Sequence, residues 1–429
     1  MQEIHHDHNS IIKVIQKDFF SIPVSIRMVS LSIFLFILGR GLGGDTFFSI
    51  YIESIVNNVF RVAIIAAFLS FIKMIFSVNV GTLDDHSNMK SIIFLGKGIY
   101  VLTSIFFFLA GIEKSIVFLV IAVMLNGIGY AALFTSYESM IRKYGKKENR
   151  STVFGLYFSS FNFAYVVGGL ISAVLIRYIS LPYVFLFVGI FSCISFITDT
   201  KLPNLSKKKI KAFLGKESFL HQFFHEVFSF VTIKKIFASL PDITKKLYQA
   251  LGFEFIFNML NYIGLIFIPI IAIQNNLSLS QIAIIFVIMR LPYVLDFFTG
   301  EFADKYSKRR FILIVLFFLS FLFALLGFKN SFGSIITISL GISVGLSLIR
   351  PVISGLISDY IDPGMGGKIT GIQEFTSNFG SMCGAFIFGL LSLIFGMDNS
   401  FVIIGIIVFV FAGIGIIQRF HLFSSTHKA

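Results

Sequence analysis

The chain has 429 residues, of which 56% are apolar and only 13% charged, with a mean hydropathy of +0.89. Water-soluble domains carry about 25% charged residues, so a set of soluble domains is excluded. The 35 Lys+Arg against 22 Asp+Glu give a formal net charge of +13, yet the basic residues sit in short bridges between long apolar runs; that pattern orients a membrane protein and argues against nucleic acid as a partner.

The chain opens on a polar stretch, MQEIHHDHNSIIKVIQKDFF, without the charged start, short apolar stretch and small-residue cleavage site of a signal peptide, so no cleavage is expected. His5, His6, Asp7 and His8 stand in this tail without a second ligand cluster, and no metal site or cofactor is expected. A helix needs about 20 apolar residues to cross the hydrocarbon layer. Six runs meet this in the first half: Val29 to Glu53, Val59 to Val78, Ser91 to Gly111, Ser115 to Met140, Thr152 to Tyr178 and Leu181 to Thr198. Six more follow: Tyr248 to Ile273, Ile282 to Thr299, Phe311 to Phe328, Phe332 to Tyr360, Ile369 to Phe395 and Phe401 to Ile417. Cys193 and Cys383 each lie inside an apolar run and read as core filler. With 56 Phe and no Trp, any aromatic girdle at the headgroups is built from Tyr and Phe.

Between the two sets, Lys201 to Lys246 breaks the apolar rhythm, and its part KAFLGKESFLHQFFHEVFSFVTIKKIFASL suits an amphipathic helix lying on the inner leaflet. The expected divisions are a cytoplasmic tail over 1–28, a six-helix bundle over 29–200, a basic linker over 201–246, a second bundle over 247–419 and a cytoplasmic tail over 420–429. Basic loops stay cytoplasmic. The bridge after segment four carries Arg142, Lys143, Lys146, Lys147 and Arg150, and that after segment eight carries Lys305, Lys308, Arg309 and Arg310. Twelve crossings then leave both termini in the cytoplasm, in a bacterial-type inner membrane.

The halves repeat. VGTLDDHSNMKS after segment two matches TGEFADKYSKRRF after segment eight, setting Gly81, Leu83, Asp85 and Lys90 beside Gly300, Phe302, Asp304 and Lys308 to Arg310. GLYFSSFNFAYVVGGLI from Gly155 likewise matches GIQEFTSNFGSMCGAFI from Gly371, so Asn162 falls on Asn378 and Gly168 on Gly384. These loops resemble the G-x-L-x-D-[RK]-x-G-[RK]-[RK] signature of the major facilitator superfamily. Gly81, Leu83, Asp85 and Lys90 fit in the first copy, while His86, Asn88 and Met89 depart from it; Gly300, Asp304, Lys305, Lys308 and Arg309 fit in the second. The resemblance covers Val29 to Arg419 and implies an all-α polytopic membrane protein, with twelve transmembrane helices in two pseudo-symmetric six-helix bundles. Drug and proton antiporters of that superfamily carry Gly-Pro followed two residues later by Gly-Gly in segment five; here Gly168 and Gly169 are present, but Ala164 and Tyr165 occupy the Gly-Pro positions. Asp85 paired with Lys90 or Arg142 would form a cytoplasmic latch between the halves; a topogenic loop is the other reading.

Ionisable groups in lipid cost about 2.5–3.5 kcal/mol on insertion scales and need a partner or a wet cavity. Arg40 and Asp45 lie within GRGLGGD of segment one, about 140° apart on an α-helix, so they need not face each other. Arg40 is a candidate cavity-lining residue or one half of a structural ion pair. Glu254, Asn258 and Asn261 share one face of segment seven, and Arg290 and Asp296 mark segment eight. Glu374 and Asn378 in segment eleven, with Asn126, Glu138 and Asn162 in the first half, complete the candidate pathway. Lys73, Lys97 and Arg350 stand nearer the helix ends, where they snorkel to phosphates.

The expected function is that of a secondary active transporter, not an enzyme, working by alternating access. It handles a small-molecule substrate with a coupling proton, acts as a monomer, and drives proton-coupled efflux of small amphipathic compounds. Organic-anion uptake or exchange is the alternative, since Arg40 and Arg290 suit carboxylates or phosphates while Asp45 and Glu254 suit cations or protons. A non-transporting receptor or assembly protein of the same fold, and a membrane enzyme acting on lipid-linked substrates through His221, His225 and Glu226, are the readings from other classes.

Overall fold

The computed structural model describes residues 24–86, 89–144, 150–202, 245–295, 308–328, 331–358 and 366–426. Twelve helical spans account for nearly all of them, and among the described residues there is no strand. Span α1 is built from Val24–Gly39, a π turn Arg40–Gly44 and Phe48–Val56; α2 is Val59–His86 and α3 Met89–Glu113. Span α4 joins Ile116–Tyr130, a second π turn Ala131–Thr135 and Ser136–Tyr144; α5 is Arg150–Leu175, and α6 comprises Leu181–Val184 and Leu186–Asp199. In the second half α7 is Lys245–Gln274, α8 is Leu279–Arg290 extended by a 3-10 turn Pro292–Leu295, and α9 is Lys308–Leu326. Spans α10 (Phe332–Ser358), α11 (Gly366–Phe395) and α12 (Met397–Thr426) complete the set. Eleven are long and apolar enough to cross a bilayer, and α8 is the short twelfth.

Helix α1 starts at Val24 and α12 runs to Thr426, both beyond the apolar windows, because a helix can extend into water once its apolar part is anchored. The expected amphipathic helix of the linker, the His5–His8 cluster, and His221, His225 and Glu226 lie outside the described residues.

The two ends of the bundle differ. At one end lie the four positive-φ residues among those described, Asn57, Lys114, Asn276 and Gly396, each in a tight reversal. Ser115 caps α4, and Ser278 with Gln281 forms a reciprocal capping box on α8. The other end carries the basic bridges.

Contacts between spans recur six spans apart. The pairs α1 with α5, α2 with α4, α3 with α4 and α3 with α6 reappear as α7 with α11, α8 with α10, α9 with α10 and α9 with α12. Matched residues play matched parts. A Cβ on Gly168 would meet the Leu38 carbonyl of α1 at 2.8 Å, and one on Gly384 the Met259 carbonyl of α7 at 2.7 Å. Asn162 and Asn378 each donate an amide N–H to the carbonyl four residues back, on Phe158 and Glu374. The halves meet where α2 lies along α11 and α5 along α8. At the short-loop end Gly389 admits Ala63, Ser280 donates to the Ala173 carbonyl and Arg177 donates to Ser280.

Large apolar side chains such as Val117, Ile197 and Phe328 point outward, as lipid-facing helix surfaces require. Cys193 is exposed on that surface instead of filling the core, and Cys383 is half-buried.

Close helix approach supplies a stability test. A methyl at Gly43 would stand 2.4 Å from the Val184 carbonyl oxygen, whereas one at Gly98 meets nothing within 4 Å. Gly43→Ala therefore costs about 1–3 kcal/mol of overpacking and lowers the temperature at which half the detergent-solubilised protein is lost from the size-exclusion peak. Gly98→Ala leaves that temperature unchanged or slightly raised.

Candidate functional site

The centre of the first half is organised by Arg40 and Asp45. Five residues apart on a regular α-helix they diverge, but the π turn Arg40–Gly44 carries an i→i+5 hydrogen bond, from Asp45 N to Arg40 O at 2.9 Å, which brings them onto one face. The guanidinium then makes a two-pronged contact, Nε to Asp45 Oδ2 at 3.0 Å and Nη2 to Oδ1 at 2.8 Å. Arg40 is buried and Asp45 keeps some exposure. Bidentate geometry is what makes such a pair tolerable in a low-dielectric interior.

From this pair a polar chain crosses the bundle. Arg40 Nη1 donates to the Tyr100 hydroxyl at 2.7 Å, which donates in turn to Asn126 Oδ1 at 3.3 Å. The Tyr165 hydroxyl donates to Asp45. Rings of Phe36, Tyr100, Tyr130 and Phe134 surround the guanidinium within about 6 Å. On the far side of Tyr165 sits Arg290 of α8, its guanidinium 4.6 Å from the ring centroid and 5.3 Å from that of Phe286. Arg290 is half-buried, and its Nε is buried with no acceptor among the described residues.

The α7 stripe faces the same region. Glu254 is buried and accepts from the side-chain amides of Asn258, at 3.0 Å, and Gln373. Asn261 accepts from the Tyr293 hydroxyl of α8 at 3.3 Å, and Asn162 reaches the Tyr293 carbonyl at 3.4 Å across the junction of the halves. Glu138, Glu374 and Asn378 lie on α4 and α11, with Glu138 and Glu374 within Coulombic range of Tyr130 and Tyr157. Asp296 lies outside the described residues.

The charges assigned to snorkelling are placed otherwise. Lys73 stands over the Tyr130 ring at 4.3 Å, and Arg350 of α10 over Phe158 of α5 at 4.7 Å, both among the polar groups of the centre. Lys97 is fully buried. It pairs with Asp199 at 3.1 Å and donates to Ser32 and Ser195, while Asp199 accepts from Ser32 at 2.5 Å and Tyr137 at 3.0 Å. This second ion pair joins α1, α3, α4 and α6. Sequence reading missed it because Asp199 stands at the edge of an apolar window, where a carboxylate looks solvated; the signal was Ser192 and Ser195 at helical spacing before it.

In the signature loops, Gly81 faces Thr135 of the second π turn. The Lys90 ammonium donates to the Thr200 and Leu202 carbonyls at 2.6 and 3.1 Å, at the C-terminal end of α6, where cations are favoured. The buried carboxylate here is Asp84, which accepts from Ser136 at 2.8 Å. The side chains of Asp85 and Arg142, and all of Gly300, Asp304 and Lys305, lie outside the described residues. Lys308 reaches along α10 to Gly355, and Arg309 is half-buried in the first turn of α9.

The family description "Major Facilitator Superfamily" matches residues 29–293 and 250–421, so each half is covered. The chain belongs to the major facilitator superfamily. It is 24% identical over 364 residues to an uncharacterised MFS-type transporter of Methanocaldococcus jannaschii, spanning 82% of this chain and 87% of that one. Its fold is similar to a crystal structure of a POT family transporter in complex with a thioalcohol-conjugated peptide (TM-score 0.74, 13% identity, 94% and 98% of the two chains). It is also similar to the nucleoside transporter NupG (0.70, 13%, 92% and 99%) and to the human organic anion transporter MFSD10 (0.66, 14%, 91% and 99%). The chain is thus an integral membrane transporter of the MFS type.

Breaking a buried pair on one side costs about 3–5 kcal/mol because it strands the other charge. Arg40→Gln or Asp45→Asn alone sharply lowers the apparent melting temperature in detergent, and the double variant recovers part of the loss. Additive losses in the double variant count against coupling through the π turn.

Proposed function

We propose that this MFS transporter is a secondary active transporter for a small organic solute bearing a carboxylate or phosphate group, driven by a proton gradient. The observation that carries this reading is Arg290: a half-buried guanidinium at the junction of the halves, whose Nε is buried with no acceptor among the described residues. Arg40 is already neutralised by Asp45. An Arg presents a planar fork matched to carboxylate and phosphate, and burying its Nε without an acceptor is costly, so a transported anion is the natural complement.

The same geometry weakens the efflux reading that the sequence favoured. Asp45 is taken up by Arg40 and Tyr165 and is not available to a cationic compound. Tyr165, standing where antiporters of the superfamily carry Pro, supplies that hydroxyl. A second reading, proton-coupled efflux of amphipathic compounds, keeps support from one residue: Glu254, a buried carboxylate held by amides, which suits a proton carrier.

In this conformation the halves are joined at the short-loop end through Ala63 with Gly389 and through Ser280 with Ala173. Alternating access requires those contacts to part in the other half of the cycle. The basic bridges support a reading in which the end that carries them, with both termini, faces the cytoplasm of a bacterial-type inner membrane.

A panel of organic carboxylates and phosphates, screened for stabilisation of the purified protein, tests the anion reading. Arg290→Ala weakens the best hit by about 10- to 100-fold, the range of a lost charged hydrogen bond, and Arg290→Lys recovers part of it. Stabilisation by organic cations alone, lost in Glu254→Gln but not in Arg290→Ala, establishes the second reading instead.

A further inference from the structure

Resting on the reading of Arg290 as an anion anchor, we infer that Arg350 of α10 is a second anion subsite, and that the solute is an organic dianion whose charged groups engage the two arginines about 10 Å apart along the bundle. A repeated arrangement carries this. The Arg290 guanidinium lies 4.6 Å from the ring centroid of Tyr165, and the Arg350 guanidinium 4.7 Å from that of Phe158. Both arginines are half-buried and belong to the second half, while both rings belong to α5 of the first. Phe158 and Tyr165 stand at i and i+7, which places them on one face of α5. Among the described residues neither guanidinium takes part in a hydrogen bond or in an ion pair within 4 Å. Glu254 of α7 acts on Arg350 only through space, its own hydrogen bonds coming from Asn258 and Gln373.

Two rulers give the spacing. On α5, the seven residues from Phe158 to Tyr165 cover about 10 Å at 1.5 Å per residue. On α10, Ser343 donates to the carbonyl of Met289, the neighbour of Arg290, at 2.6 Å, and Arg350 stands seven residues further on, again about 10 Å. Both rulers run the same way, with Arg350 nearer the end that carries the basic bridges and Arg290 deeper. The two cations form a ladder along the axis of the bundle.

A ring face attracts a guanidinium but leaves its N–H donors unpaired. Each planar fork matches a carboxylate or a phosphate in two-pronged fashion. A solute with one charged group satisfies one fork and leaves the other on its ring; a dianion of the right length satisfies both. Since both arginines come from the second half, that half grips the solute at its two ends, and the aromatic face of α5 stands alongside it.

The test uses the full-length purified protein with three probes, suberate, its monomethyl ester and malonate, with Kd read by calorimetry and melting shift. Suberate carries carboxylates at the two ends of a chain that spans about 9 Å when extended, from C–C bonds of about 1.5 Å; the ester keeps the length and one charge, and malonate keeps both charges close together. Suberate binds, and the other two are each at least about ten-fold weaker. Arg350→Ala brings suberate down to the affinity of the ester and leaves the ester unchanged. Arg350→Gln, which keeps a long polar side chain, gives the same result, and Arg350→Lys recovers part of the loss. Arg290→Ala weakens suberate and ester alike. If the ester binds as well as suberate, or if both Arg350→Ala and Arg350→Gln leave suberate binding intact, the second subsite is wrong and the anion reading of Arg290 stands. Equal binding of malonate overturns the spacing. If Arg290→Ala changes neither suberate nor the ester, the anchor fails, and this inference with it. No binding of any probe overturns the dianion while leaving Arg290 to the carboxylate panel.

Discussion

A charge inside a lipid-facing bundle must find its complement locally, because no water is at hand to supply one, and this constraint shapes the first half of the transporter. Arg40 and Asp45 are too close in sequence to be brought together by tertiary folding and too far apart on a regular α-helix to touch. The π turn between them resolves the conflict by changing the helical phase. Gly41, Gly43 and Gly44 make that turn compatible with its neighbours, since any side chain at Gly43 would collide with the start of α6. Backbone irregularity, glycine content and ion pairing are one device.

The same constraint explains the aromatic content around the charges. Lys73, Arg40, Arg290 and Arg350 each lie against at least one ring. Tyrosine serves twice, offering a π face to one cation and a hydroxyl to the network. Tyr165 does both, donating to Asp45 while stacking against Arg290. It thereby links the Arg40–Asp45 pair in one half to Arg290 in the other. Any motion that separates α5 from α8 has to uncover both groups, so the electrostatics of the centre depend on the arrangement of the halves.

Much of the fold was legible in the sequence, since twelve apolar windows become twelve spans and the alignment of Asn162 with Asn378 is repeated in their hydrogen bonds. Apolar run length reports on the hydrocarbon layer, and duplication leaves matched glycines where helices touch. The centre was legible in part. Charged residues in apolar runs were visible at once, but their partners were not: the helical wheel separates Arg40 from Asp45 because it assumes a constant phase. Lys97 looked like a snorkelling residue because depth was judged from distance to the helix end, whereas burial between helices is set by the neighbours α1, α4 and α6. The tyrosines were passed over as girdle residues because composition does not distinguish a ring at the headgroups from one at the bilayer centre.

The two buried ion pairs of the first half do not have equal standing. Lys97 and Asp199 are both buried; Lys97 donates to Ser32 and Ser195, Asp199 Oδ1 accepts from Ser32 and Tyr137, and the pair is held between four helices. Arg40 and Asp45 share their polar chain with Tyr165, which touches the other half, and Asp45 retains some exposure. A rigid pair behind and a responsive pair in front is the arrangement expected if the first half moves as a unit while its inner face changes environment. The Phe36 ring lies against both Lys97 and Arg40, so one aromatic side chain of α1 stands between the fully buried pair and the partly exposed one.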